Sequence, residues 1–206
     1  MRWAFVLLTL LIATSASASE RSPAYLDFDV AGGIHPGLSK EWGKIIPAVD
    51  LKLGGGFWVA QRAGGFAQVG LLNIIGVGSP AGATISDNLR DEFRLAPIRT
   101  GAKVNLWPRP DWVQFNLIAG ASIVTGFHEL SVGDTLARHS VSSFGFGGGI
   151  EWMAIRHKQF GFSARAVYYA QPTTLPTDQG FVIVGPTNLD VVELSVGYIF
   201  FLGRPH

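Results

Sequence analysis

Apolar and polar residues alternate one by one along much of this chain, and that period limits the fold more than any other feature. Leu26, Phe28 and Val30 are interleaved with Asp27 and Asp29, and Leu194, Val196, Tyr198 and Phe200 with Ser195, Gly197 and Ile199. Successive side chains of a strand point to opposite faces, so a period of two means strands whose two faces differ. Residues 63–86 carry no charge and are long enough for a spanning helix. Their glycines, proline, Gln68 and Asn73 make a poor helix, however, and their apolar residues include many strand formers. The period predicts eight strands with central portions near 26–31, 49–59, 67–77, 98–106, 113–124, 143–152, 160–169 and 192–200.

The connections alternate in length. Gln61 to Gly65, Pro108 to Asp111 and Ile155 to Lys158 are short, whereas Gly32 to Ala48, Gly78 to Pro97, Thr125 to Ser142 and Ala170 to Val191 are long. An even strand number, this rhythm and both termini on the short-turn side are the layout of an outer-membrane barrel. The expected fold is all-β, an eight-stranded antiparallel transmembrane β-barrel, monomeric, with every backbone group bonded between strands.

Charge placement tests which face meets lipid. Within the expected strands the charged residues are Asp27, Asp29, Asp50, Lys52, Arg99, Lys103, Glu151, Arg165 and Glu193, and all share the face opposite the apolar rows. Arg or Lys on the lipid face at the bilayer midplane would cost roughly 2–4 kcal/mol, so a barrel segregates them inward. They are expected to form an interior ion-pair network, since an unpaired buried charge costs several kcal/mol. The rest of the inner row is Gly, Ser, Asn and Gln, so an apolar core inside the wall is not expected. Eight strands leave a lumen filled by side chains, with no wide pore. Trp58, Trp107, Trp112, Trp152, Tyr198 and Phe200 lie near the short turns and are expected to form an interfacial aromatic girdle.

Composition now falls into place. A chain 48% hydrophobic and only 15% charged, with 26 glycines, suits a wall that spends every second residue on lipid. A net charge of +1 argues against a nucleic-acid partner, and the absence of cysteine excludes disulfides, thiolate zinc sites and a lipoprotein anchor. Arg2, the apolar run Trp3 to Ile12 and Ala16-Ser17-Ala18 read as a secretory signal peptide over residues 1–18, leaving 19–206 as the barrel domain.

In strand number, loop rhythm and the final strand Val191 to Phe201, the chain resembles the small outer-membrane barrels of the OmpA and OmpX type. The resemblance implies residence in the outer membrane of a diderm bacterium, contact with outer-membrane lipids and lipopolysaccharide, and recognition of the last strand by the barrel assembly machinery. Five residues follow Phe201, where the family's usual ending is the aromatic itself. A weaker similarity, over Phe144 to Tyr169, is to the lipid A 3-O-deacylase barrels. Their His-x-Ser pair has no counterpart, because this chain reads Tyr168-Tyr169-Ala170-Gln171 at the corresponding place.

The functional expectation is therefore a structural or surface-interaction role through the long extracellular loops, more an interaction protein than an enzyme. The alternatives are a lipid A deacylase or acyltransferase and, behind those, a narrow channel. His35 with Ser86 and Asp87 supplies the residue types of the palmitoyl-transferring barrels, but the amphipathic helix that precedes those barrels is missing. His128-Glu129 and His139-Ser140 on the third long connection lack tight metal-ligand spacing, so no metal and no cofactor are expected. The loop chemistry is carried by Lys40, Glu41, Trp42 and Lys44, by Ser86 to Arg94, and by the less polar Gly180 to Gly185.

Overall fold

The computed structural model describes residues 24–43, 45–59, 62–77, 89–107, 113–132, 134–157, 160–172 and 188–202. Its strands, in chain order, are β1 Ala24–Ile34, β2 Pro47–Trp58, β3 Ala63–Val77, β4 Leu89–Asn105, β5 Val113–Val132, β6 Thr135–His157, β7 Phe160–Ala170 and β8 Val191–Leu202. A short helix, α1 Pro36–Trp42, follows β1. Each strand pairs antiparallel with the next, and β8 pairs with β1 to close the barrel. Closure removes both sheet edges, the condition for placing β-structure in lipid. The expected residues 1–18 lie outside the described residues.

The stagger of the barrel follows from the register. Ile34 of β1 faces Val192, and the row continues through Tyr168, Gly148, Ala119, Ala102, Gly65 and Phe57 to return to β1 at Ala24, ten residues away. Eight strands spaced about 4.8 Å apart, rising about 3.3 Å per residue with that stagger, tilt about 40° from the axis. At that tilt the exposed apolar side chains, from Phe57, Phe115 and Phe200 below to Ile34 and Phe144 above, form a belt about 25 Å tall. That is the height of the hydrocarbon-facing band of a transmembrane barrel.

The wall is uneven. Strands β4, β5 and β6 have 17, 20 and 23 residues, against 11 or 12 for β1, β2, β7 and β8. The expected long connection Thr125 to Ser142 is therefore not a loop. It is the upper part of a hairpin whose register runs to Val132 opposite Thr135. Likewise the second connection begins its return strand at Leu89 and not after Pro97. The reason is a change of solvent along each strand. Above the belt the outer face meets water, so the alternation inverts: Phe93, Leu95, Leu130 and Val141 point inward, and Arg94 and Arg138 outward.

That inversion corrects the expectation of a wholly polar interior. Ile46, Leu72, Ile74, Phe93, Leu95, Val124, Leu130, Val141 and Leu189 belong to one buried apolar cluster of the upper lumen, which reaches down beside the ions through Val167, Ile118 and Phe66. A second, smaller cluster of Tyr25, Met153, Ile199 and Phe201 closes the lower end, with Trp58 and Ile155 packed on it. Trp58 is thus not in a lipid-facing girdle. It has the parity opposite to Phe57, which is exposed, so its ring turns into the barrel.

Candidate functional site: the closed lumen

Between the two apolar clusters sit all nine charged residues named above, each 7% exposed or less. They divide into two tiers by height. The upper tier joins β2, β4 and β8: Arg99 reaches Asp50 at 2.9 Å and Glu193 at 3.1 Å, and Lys52 also pairs with Glu193. Two cations meet two carboxylates, so the tier is neutral by formal charge.

The lower tier centres on Arg165 of β7. Its Nε donates to Glu151 at 2.6 Å and its Nη2 to Asp27 at 2.6 Å, while Nη1 pairs with Asp29. Lys103 lies 3.1 Å from Glu151 and holds its ammonium over the rings of Tyr25 and Trp58, at 4.2 and 5.0 Å from their centroids. Three carboxylates meet two cations here. The surplus acceptors are served by neutral donors: Gln68 Nε2 bonds Asp27 at 3.1 Å and Asp29 at 3.0 Å, Asn116 Nδ2 bonds Glu151 at 2.7 Å, and Ser163 Oγ bonds Asp29 at 3.2 Å.

Glycines of the inner face make room for these carboxylates. A Cβ added at Gly197 would stand 1.8 Å from Asp29 Oδ1, and one at Gly70 would stand 2.4 Å from Asp50 Oδ1. A side chain at either place would occupy the space of the carboxylate beside it. Among the ions lies a cavity of about 10 Å³ lined by Lys52, Gln68, Arg99, Lys103, Glu151 and Arg165 among others. That is about the room for one water molecule and far below the few hundred Å³ of a small-molecule site.

The upper lumen is aromatic at its centre. His35 stacks toward Phe93 with centroids 6.4 Å apart, Phe93 lies flat on His128 at 4.3 Å, and His128 faces His139 across the β5–β6 pair at 6.5 Å. His35 and His128 are buried, and His139 is partly so. The histidines expected on loops are therefore on or beside strands with their rings inside the wall. Among the described residues no group of three or more His, Cys, Asp or Glu could hold a metal ion. The start of the first connection folds over this end: His35 N donates to Ile46 O at 3.0 Å, and Ser39 Oγ donates to His35 O at 2.7 Å.

Of the other expected girdle residues, Trp107, Trp152, Tyr198 and Phe200 are exposed at 62, 40, 53 and 54%, on the end away from the histidines. Trp112, Ser86, Asp87, Lys44 and residues 180–185 lie outside the described residues. Tyr168 stands on the outer face of β7, where its hydroxyl donates to Asp190 at 2.8 Å.

No protein-family model matches the chain, and no curated protein does. Solved structures do. The chain is similar to the neisserial surface protein A, NspA, with a TM-score of 0.56 at 13% identity over 87% of this chain and 97% of that one. Likeness to OprG of Pseudomonas aeruginosa gives 0.55 at 14% identity, over 87% and 97% of the two chains. Ail of Yersinia pestis, solved with the heparin analogue sucrose octasulfate, gives 0.52 at 15% identity over 87% and 99%.

The chain has the fold of the small outer-membrane β-barrels. In this outer-membrane fold the nine inward charges were readable from alternation, but one group of side chains was not. Arg90, Glu92, Arg94, Glu129 and Arg138 form an ion-paired patch on the outside of β4, β5 and β6, above the belt. The signal that could have found it is the same phase inversion that extends those strands.

Proposed function

We propose that this protein is an integral outer-membrane protein of a diderm bacterium, exported by a cleaved signal peptide over residues 1–18, with a structural or surface-interaction role at its extracellular end. The barrel assembly machinery would insert it through β8, and its lateral partners are outer-membrane lipids and lipopolysaccharide. The observation that carries this reading is a lumen closed at every level beneath an intact apolar belt: apolar cluster, two ion tiers, apolar cluster. A plug of this kind speaks against a channel, because a conducting path would have to break several buried ion pairs at once. The cavity among the ions is also too small for a substrate, which favours partners at the outside and the upper rim.

Cell fractionation with an unboiled detergent gel tests the reading. The folded protein should sediment with outer membranes and run at a different position from the boiled chain. A soluble periplasmic protein with no heat-dependent shift overturns it. Unchanged acyl patterns of lipid A with and without the gene, and the absence of discrete conductance in planar bilayers, are expected for an interaction protein.

A further inference from the structure

The outer face of β4–β6 changes character over a few rows. The register sets Ile98, Ile123 and Phe144 side by side, then Ala96, Thr125 and Ser142, then Arg94, Phe127 and Ser140, then Glu92, Glu129 and Arg138. The first row is apolar and exposed, the top of the lipid-facing belt; the second is small; the third brings one arginine beside Phe127 and Ser140, and the fourth is charged throughout. By register and tilt the charged rows stand about 5–15 Å above the belt. That is the depth at which the belt gives way to headgroups.

These side chains point away from the lumen, toward whatever adjoins the barrel laterally. Glu92 joins Arg90 at 2.8 Å and Arg94 at 2.7 Å, and Glu129 joins Arg138 at 3.3 Å and Arg94 at 3.9 Å. Three guanidiniums against two carboxylates leave the patch with one positive charge in excess. The carboxylates hold the arginines in a fixed array, and the guanidinium of Arg138 lies 3.8 Å over the ring of Phe127. All three arginine side chains remain half exposed, at 52, 59 and 51%. An ordered cluster of half-exposed forks is suited to bidentate contacts with phosphate. Next to the patch, past β6, β7 ends at Ala170 and β8 begins at Val191, so among the described residues neither of these strands rises to this height.

We propose that this patch binds the phosphorylated sugar headgroup of an outer-leaflet glycolipid seated against β4–β6. Its acyl chains would lie on Ile98, Ile123 and Phe144, and its phosphate would meet Arg94, Arg90 and Arg138. The proposal deepens the membrane reading above and rests on it.

The test is native mass spectrometry of the full barrel in nanodiscs of phosphatidylcholine doped with lipid A, bisphosphorylated or enzymatically dephosphorylated. Wild type is expected to retain one bisphosphorylated glycolipid on release from the disc and at least tenfold less of the dephosphorylated form. Arg90→Gln with Arg94→Gln and Arg138→Gln should lose that preference. Glu92→Gln with Glu129→Gln, which frees the guanidiniums, should keep or raise it. Equal retention by wild type and the triple variant, with both shifting on an unboiled gel, overturns the site while leaving the membrane barrel standing. Loss of the heat-dependent shift in wild type overturns the membrane reading itself. Displacement of the glycolipid at the outset by sucrose octasulfate, with that sugar then bound in its place, would reassign the patch to soluble polyanions and also overturn the proposal.

Discussion

The two halves of the lumen are closed by opposite chemistry. The lower half holds Asp27, Asp29, Lys103, Glu151 and Arg165 under a second tier of Asp50, Lys52, Arg99 and Glu193, over a small apolar floor of Tyr25, Met153, Ile199 and Phe201, whereas the upper half is filled by Ile74, Phe93, Leu95, Leu130 and Val141. One wall carries both. The difference lies in what the outside touches. At belt height the outer face must be apolar, so most apolar side chains of each strand are committed outward, and the interior mixes paired ions with fewer inward apolar residues, Phe66, Ile118 and Val167 among them. Above the belt the outer face is wet, and the interior returns to the ordinary apolar core of a soluble β-protein.

The sharpest way to break the comparison is to remove the ion on which the lower half turns. Arg165→Met leaves Asp27, Asp29 and Glu151 with one cation, Lys103. Leaving buried charges uncompensated costs about 3–5 kcal/mol. The loss should be greatest at neutral pH and shrink as acid protonates the orphaned carboxylates. Urea titrations of refolding in detergent at several pH values measure it, and a loss unchanged by pH would show that the tier is held by packing alone.

Phe93→Ala probes the upper half with the opposite expectation. Truncating a buried phenylalanine costs about 3 kcal/mol or somewhat more. Here the ring is fully buried between His35 and His128. No carboxylate is orphaned, so the deficit should lack the pH dependence expected of Arg165→Met. The same titrations, run between pH 7 and 9, should give a flat difference from wild type.

These halves were unequally legible in the sequence. The lower one was readable because ions and lipid-facing residues alternate in a single phase: Asp50 and Lys52 share a parity, as do Arg99 and Lys103, and each pair lies inside. The upper one was not, because β4, β5 and β6 keep their geometry while their faces exchange polarity. Arg94 and Arg138 read as loop residues under the lipid-facing rule, yet they are outward strand residues on the same strands as the inward Leu95 and Val141. Trp58 failed for a related reason. Nearness to a short turn suggested the girdle, but parity is what decides the face, and Trp58 shares that of Lys52, not of Phe57.

Gly197→Ala sharpens the contrast in packing. The new Cβ would stand 1.8 Å from Asp29 Oδ1, which is itself tied to Arg165 and Gln68. Overpacking of this kind costs roughly 1–3 kcal/mol. Gly32, on the outer face of β1, where an added Cβ meets nothing within 4 Å, is the control, and Gly32→Ala should leave the urea midpoint where it was.

The smallest expected effect separates ions as stabilisers from ions as fillers. Lys52→Met with Glu193→Gln removes one cation and one carboxylate of the upper tier together, and leaves Arg99 with Asp50 at 2.9 Å. Replacing a buried pair by neutral groups of similar volume is close to energetically even, because the lost attraction is matched by the desolvation no longer required. The double variant should therefore unfold within about 1 kcal/mol of wild type. Glu193→Gln alone, which strands Lys52 beside Arg99, should cost several times more. If the double variant proved as damaged as the single one, the tier would owe its existence to net attraction. If it is near wild type, the charges act as fillers beside the inward Phe66, Ile118 and Val167, and pairing is what makes such a filling tolerable.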